Sequence, residues 1–308
     1  MAAVAAHADW SAHPGKRWVT RARRGARGWE VAAPEPVGDP AALAASLLAE
    51  GPAVLGLDVP LGVPRGWARR RPEAGFVPFL RGVAGDRRFF AVAETLAEVS
   101  PAAPFYPRLG VKGMTRAGHA QALGLAGAEG LSRWCDRATA ERPAGAPVFW
   151  TLGANQSGKA AIACWRDWLA PALAAGAPYA LWPFEGALRE LVAVGRLVLA
   201  EVYPAQALRV LGLRLAGSKR SVAARLAFAP ALRGAMERMG VRLAPGLEAQ
   251  IAAGFGADAA GEDRFDSVLG VLNLLAVLEG QVEDFVPEDA MVRQWEGWVL
   301  GQRALPRG

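Results

Sequence analysis

Ala53-Val-Leu-Gly-Leu-Asp-Val-Pro-Leu-Gly-Val-Pro64 is a short apolar run that ends in an acid and passes at once into a Pro/Gly-rich turn. Such a run predicts a strand buried on both faces, as in a parallel sheet, with Asp58 at its carboxyl end. Open α/β sheets place their chemistry at that edge. Two readings of Asp58 stand side by side: a turn-forming acid next to Pro60, bonded to nearby amides, or a functional carboxylate. The strand alone does not separate them; other acids along the chain do.

Upstream, residues 4–10 form an apolar approach to Asp9, and Ser11-Ala-His-Pro-Gly15 supplies turn chemistry. Lys16-Arg-Trp-Val-Thr-Arg-Ala22 resumes as a strand, and after Arg24-Gly25 the run Gly28-Trp-Glu-Val-Ala-Ala33 reads as a third. Together they predict an antiparallel meander. Asp39 and Pro40 suit the cap and first turn of a helix that Gly51-Pro52 stops. Three hairpin-linked strands, one helix and one buried parallel strand are the opening order of an RNase H-like fold. The expected architecture is therefore α/β, an RNase H-like mixed five-stranded sheet with flanking helices and a largely helical insertion.

Downstream, residues 64–147 are less regular. A helix is expected over 89–98 and another over 131–136. Arg69, Arg70, Arg71, Arg87 and Arg88 are candidate phosphate contacts against a background of ordinary surface solvation. Val148-Phe-Trp-Thr-Leu152 resembles a strand. The following Gly153-Ala-Asn-Gln-Ser-Gly-Lys159 has the spacing of a phosphate-binding loop, but Ala160 stands where that motif needs Ser or Thr for Mg²⁺. Ser157 and Lys159 still open a helix, and helix N-termini favour anions; a Gly-rich turn fixed by packing is the plainer reading.

Arg196-Leu-Val-Leu-Ala-Glu-Val-Tyr-Pro204 repeats the pattern of the opening stretch: β-formers, then an acid, Glu201, then a Pro. Lys219 and Arg220 precede a further helix as candidate phosphate ligands. In Gly261-Glu-Asp-Arg-Phe-Asp-Ser267 the acids Asp263 and Asp266 are three apart, on one face of a helix that is apolar nearly all round beyond them. Gly270, one turn further, permits close approach to a strand. A capping box explains Asp263. It explains Asp266 less well, because a carboxylate entering a buried helix is costly unless a cation or hydrogen bonds meet it.

The chain has 308 residues and 52% apolar content, enough for a large core. Its two cysteines and three histidines show no zinc-site or disulfide spacing, so a cytoplasmic location is expected. No signal peptide is expected at Met1, and the longest apolar helical stretch, 267–278, is shorter than the roughly 20 residues that span a bilayer. With no internal repeat and no linker, one domain over 1–308 is expected, with inserted helical segments at about 64–147 and 158–195. Net charge is +6, almost all of the cations being arginine. That balance is compatible with nucleic acid or nucleotide partners, and equally with a GC-rich genome. The oligomeric state is open.

Asp9, Asp58, Glu201 and Asp266 thus lie at three strand exits and one helix start, with Asp263 nearby. Oxygen-only clusters suit Mg²⁺ or Mn²⁺, and two such ions about 4 Å apart promote phosphodiester hydrolysis. The chain resembles the DUF429 family of predicted nucleases over nearly its whole length. The resemblance rests on Asp9-Trp-Ser with Lys16-Arg-Trp18, Gly56-Leu-Asp-Val-Pro-Leu-Gly62, Phe149-Trp-Thr-Leu-Gly-Ala-Asn-Gln-Ser-Gly-Lys159, Leu181-Trp-Pro-Phe-Glu-Gly186, Glu201-Val-Tyr-Pro204, Gly261-Glu-Asp-Arg-Phe-Asp-Ser267 and Glu296-Gly-Trp-Val-Leu-Gly301. Its acidic pattern is similar to that of RuvC-type nucleases, with Ser267 in place of the usual Ala. The resemblance implies an RNase H-like, Mg²⁺- or Mn²⁺-dependent nuclease. Asp9, Asp58 and Asp266 are then the principal ligands, Glu201 a ligand or general base, and Asp263 a supporting ligand or helix cap. Ser157, Lys159, Lys219 and Arg220 are the expected phosphate contacts, and no histidine is assigned as a base. An actin-like or nucleotide-binding phosphotransferase or hydrolase, and a nucleic-acid-binding protein without catalysis, are the alternatives.

Overall fold

The structure, a computed structural model, describes residues 1–110, 113–152, 157–193 and 195–307. It is a mixed α/β protein with two compact units. The first comprises Met1–Asp58, Glu185–Phe285 and Val299–Gln302; the second comprises Val59–Phe184, Val286–Trp298 and Arg303–Gly308. Among the described residues no helix is long and apolar enough to cross a membrane.

The strands in chain order are β1 Val4–Asp9, β2 Trp18–Gly25, β3 Gly28–Val31, β4 Glu35–Pro36, β5 Ala53–Leu57, β6 Tyr179–Leu181, β7 Leu197–Glu201 and β8 Arg242–Leu243. Within the first unit the sheet runs β7-β5-β1-β2-β3-β8, and β4 pairs with β2. β1, β2 and β3 form the expected antiparallel meander, while β5 lies parallel to β1 and β7 parallel to β5. The sheet is thus wider than five strands. The two-residue strands β4 and β8 were too short to carry a periodic signal.

β5 is buried at every position, as its unbroken apolar sequence requires. The helix Pro40–Ala49 begins as its sequence predicts: the Asp39 carboxylate accepts a hydrogen bond from the Ala41 amide, and Leu43, Ala44 and Leu47 are buried. The 18-residue helix Gly261–Leu278 packs against β1 and β2. Gly270 decides how closely. A Cβ there would stand 2.1 Å from His7 Nδ1 on β1, so helix and strand meet at a distance only glycine allows. Two turns of apolar residues follow, each fully buried Leu or Val contributing roughly 1.5–3 kcal/mol. Val299–Gln302 closes this unit: the Leu300 amide donates to the Glu201 carbonyl at 2.9 Å, and Asn273 Nδ2 donates to the Leu300 carbonyl at 3.0 Å.

The second unit is built from short helices around an aromatic core. Trp67 meets Phe79 and Phe149 edge-on at 5.2 and 5.3 Å, and Phe89 meets Phe79 and Phe105 at 5.1 and 5.6 Å. This packing accounts for three departures from expectation. Residues 89–98 are not a helix: Phe89 and Phe90 lie in a turn and Val92 bridges to Phe105, leaving only the short 3-10 turn Leu96–Glu98. Residues 131–136 form parts of two separate 3-10 turns. The 148–152 run is not a strand; Trp150 makes a single bridge to Tyr106. In each case ring packing outweighs a weak local preference.

Candidate active site

Asp9 is the last residue of β1, and Asp58 follows β5 directly, its amide donating to the Ala8 carbonyl at 3.1 Å. That bond continues the parallel ladder by one residue. It sets Asp58 level with Asp9, because Leu57 pairs with Ala8. Side chains alternate along a strand, so Asp9 shares a face with His7, and Asp58 with Gly56. The helix Gly261–Leu278 covers this face: Gly270 lies against His7, and Ser267 Oγ lies 2.8 Å from Thr20 Oγ1 on β2. Ser267 gives its own proton to the Arg264 carbonyl, so Thr20 is the donor in that bond. Asp266, one turn before Gly270, is thereby carried to the exits of β1 and β5.

Glu201 sits differently. It pairs with Leu57, which pairs with Ala8, one residue short of the Asp58 and Asp9 level. The pleat therefore directs Glu201 to the opposite face of the sheet, fully buried, although its charge still acts on Asp58. Asp263 is at the rim of the first group, half-buried. The helix starts at Ala260 with no side-chain cap, so the capping-box explanation of Asp263 does not hold.

The electrostatics identify one cluster. Burial pushes the Asp9 carboxyl well above its ordinary value, and the charges of Asp266, Asp58 and Asp263 add to this against Lys219. Burial and Asp266 raise Asp58 to about 7, again opposed by Lys219. Asp266 is raised to about 6 by burial, even though Lys219 pulls it down. Three acids thus gather with one ammonium among them. Lys219 Nζ bonds Asp266 Oδ2 and lies 4.0 Å from Glu262, while Asp266 Oδ1, equally buried, has no partner. His7 behind them is buried and neutral, its pKa lowered to about 4 by desolvation, with Nε2 3.3 Å from the Val202 carbonyl oxygen.

Loop contacts hold this arrangement. Arg17 donates to the Ser11 and Ala12 carbonyls and stacks over Trp10, which fixes the loop leaving Asp9. Arg264 lies over Trp18 and bonds the Phe255 carbonyl. The buried Arg225 guanidinium bonds the carbonyls of Lys219, Gly254 and Gly256. It therefore serves as a clamp, with each of its three nitrogens engaged by a backbone carbonyl.

Of the expected phosphate contacts, Lys219 is on Asp266, and the exposed Arg220 lies 3.3 Å from Glu262. Ser157 and Lys159 belong to the second unit and open the helix Ser157–Cys164. Gly158 is there for packing: a Cβ would stand 2.6 Å from the Val148 carbonyl. The rest of that loop, residues 153–156, lies outside the described residues. Arg70 is occupied by the carbonyls of Leu123 and Gly124 and Arg71 by Glu73, while Arg69, Arg87 and Arg88 are exposed.

An oxygen-only donor set, an unpartnered carboxylate oxygen in a buried site and an excess of negative charge all fit a hard divalent cation. Among the described residues, however, no three His, Cys, Asp or Glu side chains converge as a preformed metal-binding group. The acids are collected, and an ammonium stands among them. Sequence reasoning missed the Lys219–Asp266 pair and the His7–Gly270 contact. The spacing of Asp9 and His7, two apart on one strand, was the available signal for the latter.

Family models, curated proteins and solved structures were each compared with this chain, and none matches.

Proposed function

We propose that this protein is a Mg²⁺- or Mn²⁺-dependent nuclease of the DUF429 type, with an RNase H-like first unit and its metal site at Asp9, Asp58 and Asp266. The observation that carries this reading is the gathering of Asp9, Asp58 and Asp266 on neighbouring elements, each carboxyl raised by desolvation, with Asp266 Oδ1 left unpartnered. Carboxyls raised by burial beside one another are a feature of sites prepared for chemistry. The order β3-β2-β1-β5-β7, antiparallel then parallel, supports the RNase H-like assignment, as does the acid at each of three strand ends.

A bound divalent ion would supply Lewis acidity toward a phosphate oxygen and an activated water. The residues' own parts follow from their positions. Asp9 and Asp58 present oxygens from one edge of the sheet, and Asp266 presents them from the covering helix. Glu201, on the far face, keeps the Asp58 carboxyl basic through its charge. Asp263 and Glu262 line the rim, where they meet Lys16, Lys219 and Arg220.

The nucleic-acid partner is supported by where the charge lies. The second unit has 18 Lys and Arg against 11 Asp and Glu, net +7, whereas the first has 17 against 18, net −1. A basic unit with exposed Arg69, Arg87 and Arg88 provides the phosphate attraction that nucleic-acid binding needs. The test is cleavage of a panel of DNA, RNA, hybrid and branched substrates with Mg²⁺, Mn²⁺ or chelator. Cleavage of at least one substrate, abolished by chelator, is expected; no metal-dependent cleavage of any of them would refute the assignment.

A further inference from the structure

The ammonium of Lys219 stands inside the acid cluster on a rigid mount. Its Nζ bonds Asp266 Oδ2, and its charge acts on Asp9 and Asp58 as well. The backbone that carries it is fixed from three sides. Arg225, fully buried, bonds the Lys219 carbonyl and ties it to the carbonyls of Gly254 and Gly256; Ser221 caps the helix two residues on; and a Cβ on Gly261 would stand 2.4 Å from Arg225 Nη2, so the helix bearing Asp266 is pressed against the same guanidinium. A lysine on a freely moving loop would be a solvated surface cation. This one has 29% of its side chain exposed and its anchor buried.

Two-ion phosphodiesterases place cations about 4 Å apart among shared carboxylates. Here one of the two Asp266 oxygens already holds a cation and the other holds nothing. A second divalent ion would have to enter against the fixed positive charge of Lys219.

We propose that Lys219 is a built-in second cation: its ammonium takes the place of one metal ion, so that the Asp9–Asp58–Asp266 site binds a single divalent ion, on the side of Asp266 Oδ1. This rests on the nuclease reading above. In the reaction Lys219 is placed to meet a non-bridging phosphate oxygen, a point charge where a two-ion enzyme has a metal, while remaining tied to Asp266. Lys219 is thereby a positioning and charge-supplying residue, distinct in role from the exposed Arg220.

Mn²⁺ titration of the full chain, followed by calorimetry and by the loss of the free-ion spin-resonance signal, tests this. One ion per wild-type chain is expected, and two per Lys219→Met chain, in which the aliphatic stem is kept and the charge removed. Lys219→Arg, which keeps the charge, should return the count to one. The metal-free Lys219→Met protein should melt several degrees below wild type at pH 7.5, and Mn²⁺ should raise its melting temperature more than it raises that of wild type. Equal stoichiometry in wild type and Lys219→Met, whether one or two, would overturn the proposal while leaving the nuclease reading intact. No ion bound by wild type at millimolar Mn²⁺ would remove both.

Discussion

In the second unit, buried acids are met by guanidinium groups. Arg133 bonds Asp136 through two nitrogens at 2.8 and 2.9 Å with both side chains buried. Arg65 bonds the fully buried Glu296 at 2.5–2.8 Å and reaches Asp289 at 3.2 Å. Partial burial pushes Asp289 up, but the Val292 amide and Arg65 hold it below its ordinary value. In the first unit, Asp9, Asp58 and Asp266 stand beside one another at elevated pKa with a single lysine. One chain therefore treats buried carboxylates in two ways. Paired, they lock loops together, and removing a partner strands a charge. Gathered, they are costly to the fold at neutral pH, and the proposed metal site accounts for that cost.

The difference can be broken from either side. The largest effect is expected on the paired side: Arg133→Leu removes the buried guanidinium that meets Asp136 and should lower unfolding free energy by about 3–5 kcal/mol, measured by urea denaturation. On the gathered side, Mn²⁺ at about 100 times its dissociation constant should stabilise the wild-type protein by ~2.7 kcal/mol. Asp266→Asn should show none of this gain, and Arg65→Lys all of it. Asp58→Asn has the opposite sign from Arg133→Leu, because it should stabilise the metal-free protein by about 2 kcal/mol at pH 7.5.

The pH dependence follows from the same shifts. An acid raised to about 7 in the folded state holds its proton between pH 4 and 7, where the unfolded chain has lost it. The folded form then binds more protons, so stability falls as pH rises through that window. His7 acts the other way: lowered to about 4 by burial, it costs stability in full below about pH 4, and that cost is relieved as pH rises from 4 to 6.5. Subtracting the Asp58→Asn profile from the wild-type profile cancels His7. The difference should be near zero at pH 4 and reach its full size above pH 7; a flat difference would mean that Asp58 is ordinarily ionised.

The acids that gather were partly legible in the sequence for a local reason. A buried strand announces itself as an apolar run, and an acid at its end is conspicuous; Asp9 and Asp58 were found that way, and the helix at Pro40–Ala49 through its Asp39 cap. What was not legible depends on register and on distant partners. Glu201 has the same local signature as Asp58, yet a one-residue offset in the ladder turns it to the other face. Lys219 is 47 positions from Asp266, with no spacing to join them. In the second unit, aromatic rings contributed from residues 67 to 165 decide the backbone between them, so windows such as 89–98 carried the wrong local preference.

The central claim is that the gathered acids hold a divalent ion for phosphodiester cleavage. Single-turnover cleavage in Mn²⁺ by wild type and by Asp58→Asn, with the variant's melting temperature measured in parallel, tests it most directly. The account predicts a variant that folds at least as stably as wild type without metal and cleaves about 10²–10³-fold more slowly. A stable Asp58→Asn protein that cleaves at the wild-type rate would contradict it.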